Sequence, residues 1–307
     1  MSRIVVAGGT GYIGGHLLQE LADAGHDTTV LTRRPPGEAG DLPGGARAVQ
    51  WDPDRPGPAL VQALSGAEAV VNLAGTSIGG RPWTPRRRVS ILQSRVRATK
   101  ALVDAMGELE ASQRPGVLVN ASGIDYYGDR GEEPVAETAS AGSSFLASVC
   151  RLWESEARKA EAPGVRVVML RTGLVLSRTS PAFRLWTLPF RLFVGGPAGS
   201  GRQWVSWIHL DDVVGLYRLA VEDAQVAGPV NLASPNPCRN EELAVAIGRG
   251  LGRPAKLRTP APLLRAGLDG LADLLLHGRR AVPEVANARG YRFRYPTLEA
   301  ALDGSLG

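Results

Sequence analysis

Two hydrophobic periods alternate along the chain. Arg3–Gly8 (RIVVAG) is a short continuous apolar run ending in glycine, the signature of a buried strand. Leu17, Leu18 and Leu21 then recur at helical spacing in GGHLLQELADAG, and Gly25 stands where a helix C-cap glycine belongs. Further strand-like runs follow at DTTVLTR (27–33), ARAVQWD (46–52), AEAVVNLAG (67–75), GVLVNAS (116–122), VRVVMLRTGLVL (165–176) and GPVNLAS (228–234). Between them, SRVRATKALVDAMGELEAS (94–112) and SSFLASVCRLWESEARKA (143–160) read as helices. WIHLDDVVGLYRLAVEDA (207–224) reads as another helix, opened by acidic residues that suit its positive end. Strands alternating with helices at this spacing predict right-handed crossovers and a doubly wound, parallel, Rossmann-like α/β sheet.

The pattern changes after residue 177. SRTSPAFRLWTLPFRLFVGGPAGSGRQ (177–203) sets proline and glycine among apolar and aromatic groups, the composition of loops that cover a site beside a rigid scaffold. From Asn240 onward the chain reads as helical pieces. The predicted organisation is a cofactor-binding domain over 1–177, rejoined by 205–235. A smaller, mostly helical substrate-side region covers 178–204 and 236–307.

Composition narrows the function. The chain has 307 residues, 44% of them hydrophobic and 21% charged, an ordinary globular balance long enough for a sizeable core. No apolar run is long enough to span a bilayer, and the N-terminal residues enter a strand pattern directly, so the expectation is a cytoplasmic protein without a membrane partner. Cys150 and Cys238 make no disulfide framework, and the four histidines (His16, His26, His209, His277) fall into no metal spacing, so no metal is expected. The net charge of +5 rests on arginine, since only Lys100, Lys159 and Lys256 are lysines. The arginines are scattered rather than set in a stripe, which argues against nucleic acid and for individual contacts to an anionic ligand. The expected partner is a small-molecule substrate, and the expected assembly a monomer or homodimer.

The candidate chemistry begins in the first turn. Gly8-x-x-Gly11-x-x-Gly14 lies between a predicted strand and a predicted helix, the context in which glycines let the backbone approach a pyrophosphate. The free N–H groups at the helix start then meet the phosphates. At the end of the second strand, where an NAD-binding protein places a carboxylate for the ribose hydroxyls, this chain has Thr32-Arg33-Arg34. Guanidiniums stabilise a 2′-phosphate, so NADP(H) is expected over NAD(H), with Arg33 as the main contact.

These residues carry a resemblance. GGTGYIG, TRRP, VVNLAG, QSRVRATKALVDA, YYGDRGE, RTGLVL, GGPAGSGRQWVSWIHLDDV and NLASPNPCRNEEL together resemble the extended and atypical short-chain dehydrogenase/reductases, the NAD(P)-dependent epimerase/dehydratase group. Within it the chain is most similar to the "epimerase family protein" branch with a short C-terminal segment. The resemblance implies an NADP(H)-dependent oxidoreductase or epimerase-like enzyme. It places Gly8, Thr10, Gly11, Tyr12, Ile13 and Gly14 in the pyrophosphate turn, and Thr32 and Arg33, with Arg34 beside them, at the 2′-phosphate. Asp52 would lie near the adenine, and Leu73, Ala74 and Gly75 would pass beneath the adenine-ribose side. Arg95 would contact the cofactor, and Thr172, Gly173, Leu174 and Val175 would line the nicotinamide.

The same resemblance exposes a gap. Short-chain dehydrogenases pair a tyrosine acid/base with a lysine four residues later, whose charge lowers the phenol pKa. Here the corresponding helix offers Leu146 and Cys150, or, one residue out of register, Phe145 and Val149. The remaining polar candidates for catalysis are Ser122 and Tyr127. Arg202, Trp204 and His209 are candidates for the substrate side. The abundance of Phe, Trp, Leu and Pro there favours a small, fairly apolar carbonyl or hydroxyl substrate over a nucleotide-sugar. The missing pair supports a second reading, an NADP(H)-binding sensor or partner-binding protein without turnover.

Overall fold

The computed structural model describes residues 2–306. Seven strands form one parallel sheet: β1 (Arg3–Ala7), β2 (Asp27–Thr32), β3 (Arg47–Gln50), β4 (Ala69–Asn72), β5 (Val117–Gly123), β6 (Arg166–Thr172) and β7 (Gly228–Leu232). Their spatial order is β7-β6-β5-β4-β1-β2-β3, so the order reverses between β1 and β4. In an open sheet of this kind ligands bind at the carboxyl ends of the strands, beside that reversal.

The strands read as unbroken apolar runs because helices cover both faces. Side chains alternate across the pleat, so Ile4 and Val6 of β1 pack on one face with Leu17, Leu18 and Leu21 of α1 (Tyr12–Asp23). Val5 and Ala7 pack on the other with α2 (Pro58–Leu64) and α3 (Pro85–Glu108). α3 begins at Pro85 rather than at Ser94, because Thr84 caps it, its hydroxyl accepting from the Arg87 N–H. Gly25 does end α1: at φ +82° its N–H bonds the Ala22 carbonyl while the His26 N–H reaches Leu21, the paired bonds of a Schellman close. α4 (Phe145–Arg158) lies against α3, and α6 (Leu210–Glu222) against α1.

Three expectations change here. Trp207–His209 is a strand, and the helix read from 207 begins only at Leu210. The run 165–176 is two strands, because the chain leaves the sheet at Gly173. The Gly173 N–H bonds the Leu232 carbonyl, the Leu174 N–H bonds the Ser206 carbonyl, and Leu174–Leu176 pairs with Trp207–His209. A Cβ at Gly173 would lie 2.5 Å from the Ser206 oxygen. The stretch 177–203 is also not all loop, for it contains α5 (Pro181–Arg191), capped by the Ser180 hydroxyl. Phe183 and Phe190 of α5 share a second core with Trp207, with Leu243 and Ile247 of α7 (Asn240–Leu251), and with the terminal helix Leu298–Leu306. A shorter helix at Ala261–Leu268 lies on this side, while the helix Glu284–Ala288 packs on β7, its Ala286 in the core of the main sheet.

Candidate functional site

The glycine turn joins β1 to α1 and is built without room for side chains. Gly8 has φ +82°, and a Cβ there would lie 2.8 Å from the Leu73 carbonyl carbon. A Cβ on Gly14 would lie 2.7 Å from the Gly9 Cα. The Gly11 N–H closes the turn on the Gly8 carbonyl at 2.9 Å. No side chain caps α1, so the N–H groups at Tyr12 and Ile13 are left for a ligand, and an anion suits that helix end. Thr10 is exposed at the rim of the turn. The Tyr12 hydroxyl is buried and faces Ser177, Thr179 and Ser180 without a well-formed hydrogen bond.

At the end of β2, Thr32 is buried and its hydroxyl accepts from the Arg34 N–H at 3.2 Å. That bond shapes the turn from which Arg33 and Arg34 extend, both exposed. Neither guanidinium pairs with a carboxylate among the described residues. Asp52 follows β3, is exposed, and accepts from the Asp54 N–H at 3.0 Å.

Beyond β4, the Leu73 N–H bonds the Ala7 carbonyl and the Ala74 N–H bonds the Asn72 side chain at 3.1 Å. Gly75 lies against Arg95 of α3, whose guanidinium carbon a Cβ at Gly75 would approach to 3.2 Å. The Arg95 Nη1 donates to the Thr76 and Ile91 carbonyls, 3.0 Å each, and its charge sits 5.1 Å from the Trp153 ring centre. Burial lowers its pKa, and no carboxylate among the described residues pairs with it. Cys150 of α4 lies nearby, buried, its thiol pushed by that burial up to about 12.

At the end of β5 the structure gives the polar candidates other work. The Ser122 hydroxyl donates to Glu154 Oε1 at 2.7 Å. Tyr127 is fully buried; its hydroxyl donates to Asn231 Oδ1 at 2.6 Å and accepts from Arg171 Nη1 at 2.9 Å. Burial pushes its pKa up to about 12 in spite of the neighbouring guanidinium. The Tyr127 phenol is a packed, doubly bonded part of the interior. Arg171 holds this cluster together, chelating Glu154 and stacking 3.5 Å over the Tyr126 ring.

Thr172 ends β6, and Gly173, Leu174 and Val175 carry the chain off the sheet beside β7. His209 is buried and caps α6, its Nδ1 accepting from the Asp211 N–H at 3.2 Å while the ring stacks on Tyr295 with centroids 3.7 Å apart. Trp204 donates from Nε1 to Glu132 at 3.0 Å and carries Arg239 4.0 Å over its ring. Arg202 is exposed, its carbonyl accepting from Arg239.

The fold brings the glycine turn, the β2 arginines, Gly75 and Arg95 to the carboxyl edge of the sheet. The sequence reading missed Arg171 and its partners. The signal was a charged residue within the apolar run VRVVMLRTG, on a strand buried on both sides. It also missed the cations of α5, described below. Among the described residues no group of His, Cys, Asp and Glu is arranged to hold a metal, and no helix is long and apolar enough to cross a membrane.

Residues 4–233 match the NAD dependent epimerase/dehydratase family, and residues 259–304 match a domain of unknown function, DUF1731. The chain is 36% identical over 300 residues to an epimerase family protein of Mycobacterium bovis, covering 97% of this chain and 96% of the relative. It is 37% identical over 307 residues to a chloroplastic epimerase family protein of Arabidopsis thaliana, with 97% and 85% covered. A crystal structure of the human epimerase family protein SDR39U1 with NADPH superimposes with a TM-score of 0.86 at 33% identity, covering 98% of each chain.

Proposed function

The chain belongs to the NAD-dependent epimerase/dehydratase family, and from that premise we propose an NADP(H)-dependent oxidoreductase or epimerase-like enzyme that acts on a small, fairly apolar carbonyl or hydroxyl substrate. One observation carries the cofactor assignment. The turn at Gly8–Gly14 excludes side chains, and Arg33 and Arg34 stand at the end of the neighbouring strand without a carboxylate partner among the described residues. A carboxylate at that strand end would repel a 2′-phosphate, whereas two guanidiniums favour it. The NADPH in the human relative's structure supports the same assignment. Cytoplasmic placement and a monomer or homodimer belong to the same proposal.

Bound NADP(H) would supply hydride chemistry. The chain's own residues would bind and orient it: the α1 N–H groups at the pyrophosphate, Arg33 and Arg34 at the 2′-phosphate, Asp52 and Leu73–Gly75 beside the adenosine, Thr172–Val175 beside the nicotinamide. Arg95 is a half-buried cation at the sheet edge without a carboxylate partner among the described residues, and it lies by Cys150, where the family's lysine is expected. Ser122 has its proton committed to Glu154, so the hydroxyl offers lone pairs. It is suited to accept from a substrate hydroxyl and to position it, rather than to polarise a carbonyl.

Leu146 and Cys150 supply neither the phenol nor the amine of the usual pair, and that favours one second reading, an NADP(H)-binding sensor without turnover. The first test is a fluorescence titration with NADPH and NADH on the wild type and Arg33→Ala. Loss of a charge-assisted contact costs about 1.5–3 kcal/mol, so NADPH affinity should fall roughly ten- to a hundredfold with NADH little changed. Failure to bind either nucleotide would overturn both readings. Tight binding without oxidation of NADPH across a broad carbonyl panel would favour the sensor.

A further inference from the structure

α5 carries a face outside the residues assigned above to the cofactor. Arg178, Arg184 and Arg191 border a cavity of about 400 Å³ whose other walls are Thr179 and Leu188. Residues 184, 188 and 191 share one helical face by their spacing, and Arg178 arrives from the segment leading into the helix. No acidic side chain lines the cavity. Neither Arg184 nor Arg191 makes an ion pair among the described residues. Like charges converging on one concavity repel, and an anion placed between them relieves that repulsion.

The surroundings of the cavity are apolar. Leu185, Leu188, Leu192, Phe193 and Val194 are all about half exposed or more, between 49% and 62%. They lie on and just after α5, and clustered exposure of this kind marks a binding surface. Phe193 holds a left-handed backbone at φ +63°, a conformation costly for a bulky residue, and this turns the chain at the end of the run. The place is also informative. Leu185 rests against Gly79 in the loop after β4, and Thr179 faces Tyr12, the first residue of α1 after the glycine turn. The cavity therefore borders the cleft in which the cofactor is proposed to lie.

We propose that this cavity takes the anionic head of the substrate, and that the substrate is a soluble amphiphile: a hydrocarbon body, laid along Leu185 and Leu188, ending in a phosphate or carboxylate held by Arg184 and Arg191. The substrate role rests on the NADP(H) reading above, while the binding site does not. The cations line a concavity rather than a flat face, and its volume falls within the roughly 300–1,000 Å³ of small-molecule pockets, which favours a single ligand molecule over a membrane surface.

The test is calorimetric titration of the full chain with monomeric decyl phosphate, against decanol, inorganic phosphate and UDP-glucuronic acid, for the wild type and for Arg184→Ala and Arg191→Ala. NADPH titrations on the same samples report folding and the cofactor site separately. Decyl phosphate should bind more tightly than the three controls, and each substitution should weaken it about tenfold while NADPH affinity stays unchanged. Equal binding of decanol or inorganic phosphate would overturn the amphiphile, and tighter binding of UDP-glucuronic acid would replace it with a nucleotide-sugar. Arginine-dependent sedimentation with anionic vesicles, without binding of monomeric decyl phosphate, would make the face a membrane contact and sink the proposal. NADPH binding without any decyl phosphate binding would overturn this inference alone. The reverse result would overturn the cofactor reading and leave the site standing.

Discussion

Arg171 and Glu154 form a two-point ion pair inside the fold, Nε to Oε1 at 2.8 Å and Nη2 to Oε2 at 2.7 Å, with side chains 2% and 4% exposed. Burial alone would disfavour the guanidinium charge, but the Glu154 carboxylate more than offsets that, and the Arg171 pKa is raised. The pair ties β6 to α4 and through Ser122 and Tyr127 reaches β5.

Breaking this pair on one side should be severe. Glu154→Ala leaves a buried guanidinium uncompensated, at a cost of about 3–5 kcal/mol. The urea unfolding midpoint should drop accordingly. Replacing both partners with methionine should recover much of the loss, because no charge then stays buried. If Glu154→Ala unfolds with the wild-type midpoint, the pair has no structural role.

The glycine turn makes a sharper prediction about binding. Gly14→Ala would bring a methyl within 2.7 Å of the Gly9 Cα, against backbone that has no flexible end to swing away. Overpacking of this kind costs about 1–3 kcal/mol. NADPH affinity should fall more than tenfold in the same fluorescence titration, while circular dichroism stays that of the wild type. Gly15→Ala, whose added methyl would only touch the Pro43 ring at 4.0 Å, should bind normally.

Both cysteines should be silent to thiol reagents in the native state. Cys150 and Cys238 are each 6% exposed, and burial pushes both thiols up to about 12. At pH 8 only about one molecule in ten thousand carries a given thiolate, and the thiolate is the reactive form. Neither should react over minutes with a disulfide reagent, and both should react at once in denaturant. Rapid modification of Cys150 in the native protein would mean that α4 opens at the proposed active site.

The parallel sheet was legible because its physics is local: strands covered on both faces are dominated by apolar residues, as Ala69–Val71 and Val117–Val119 show, and the tight turn after β1 demands glycine. The departures have long-range causes. Gly173 ends β6 because the Ser206 and Leu232 carbonyls, distant in sequence, capture the next two N–H groups. α5 was hidden by its prolines, yet Pro181 sits in the first turn, where no N–H is needed, and Pro189 in the last. Phe183 and Phe190 supply its buried stripe. Tyr127 looked available beside a strand end; only the fold brings Asn231 and Arg171 to its hydroxyl.

His209 gives a pH dependence whose sign follows from geometry. Its Nδ1 accepts the Asp211 N–H, so this nitrogen must carry a lone pair, and protonation would remove the cap from α6. Burial lowers its pKa, with the carboxylates of Asp211 and Asp212 pulling the other way and Tyr295 stacked on the ring. A lowered folded pKa means the unfolded chain binds more protons once pH falls below the ordinary value of about 6.5. The contribution of His209 is therefore complete above that pH and is lost as pH falls through it, by at most about 1.4 kcal/mol per pH unit. Asp212, whose pKa burial raises, acts in the opposite sense. His209→Asn keeps a helix-capping side chain without a titrating ring. Urea denaturation at pH 7.5 and 5.5 should show wild type losing more stability than His209→Asn over that interval. Equal losses in the two proteins would mean that the cap survives protonation and that His209 does not set the acid limit of α6.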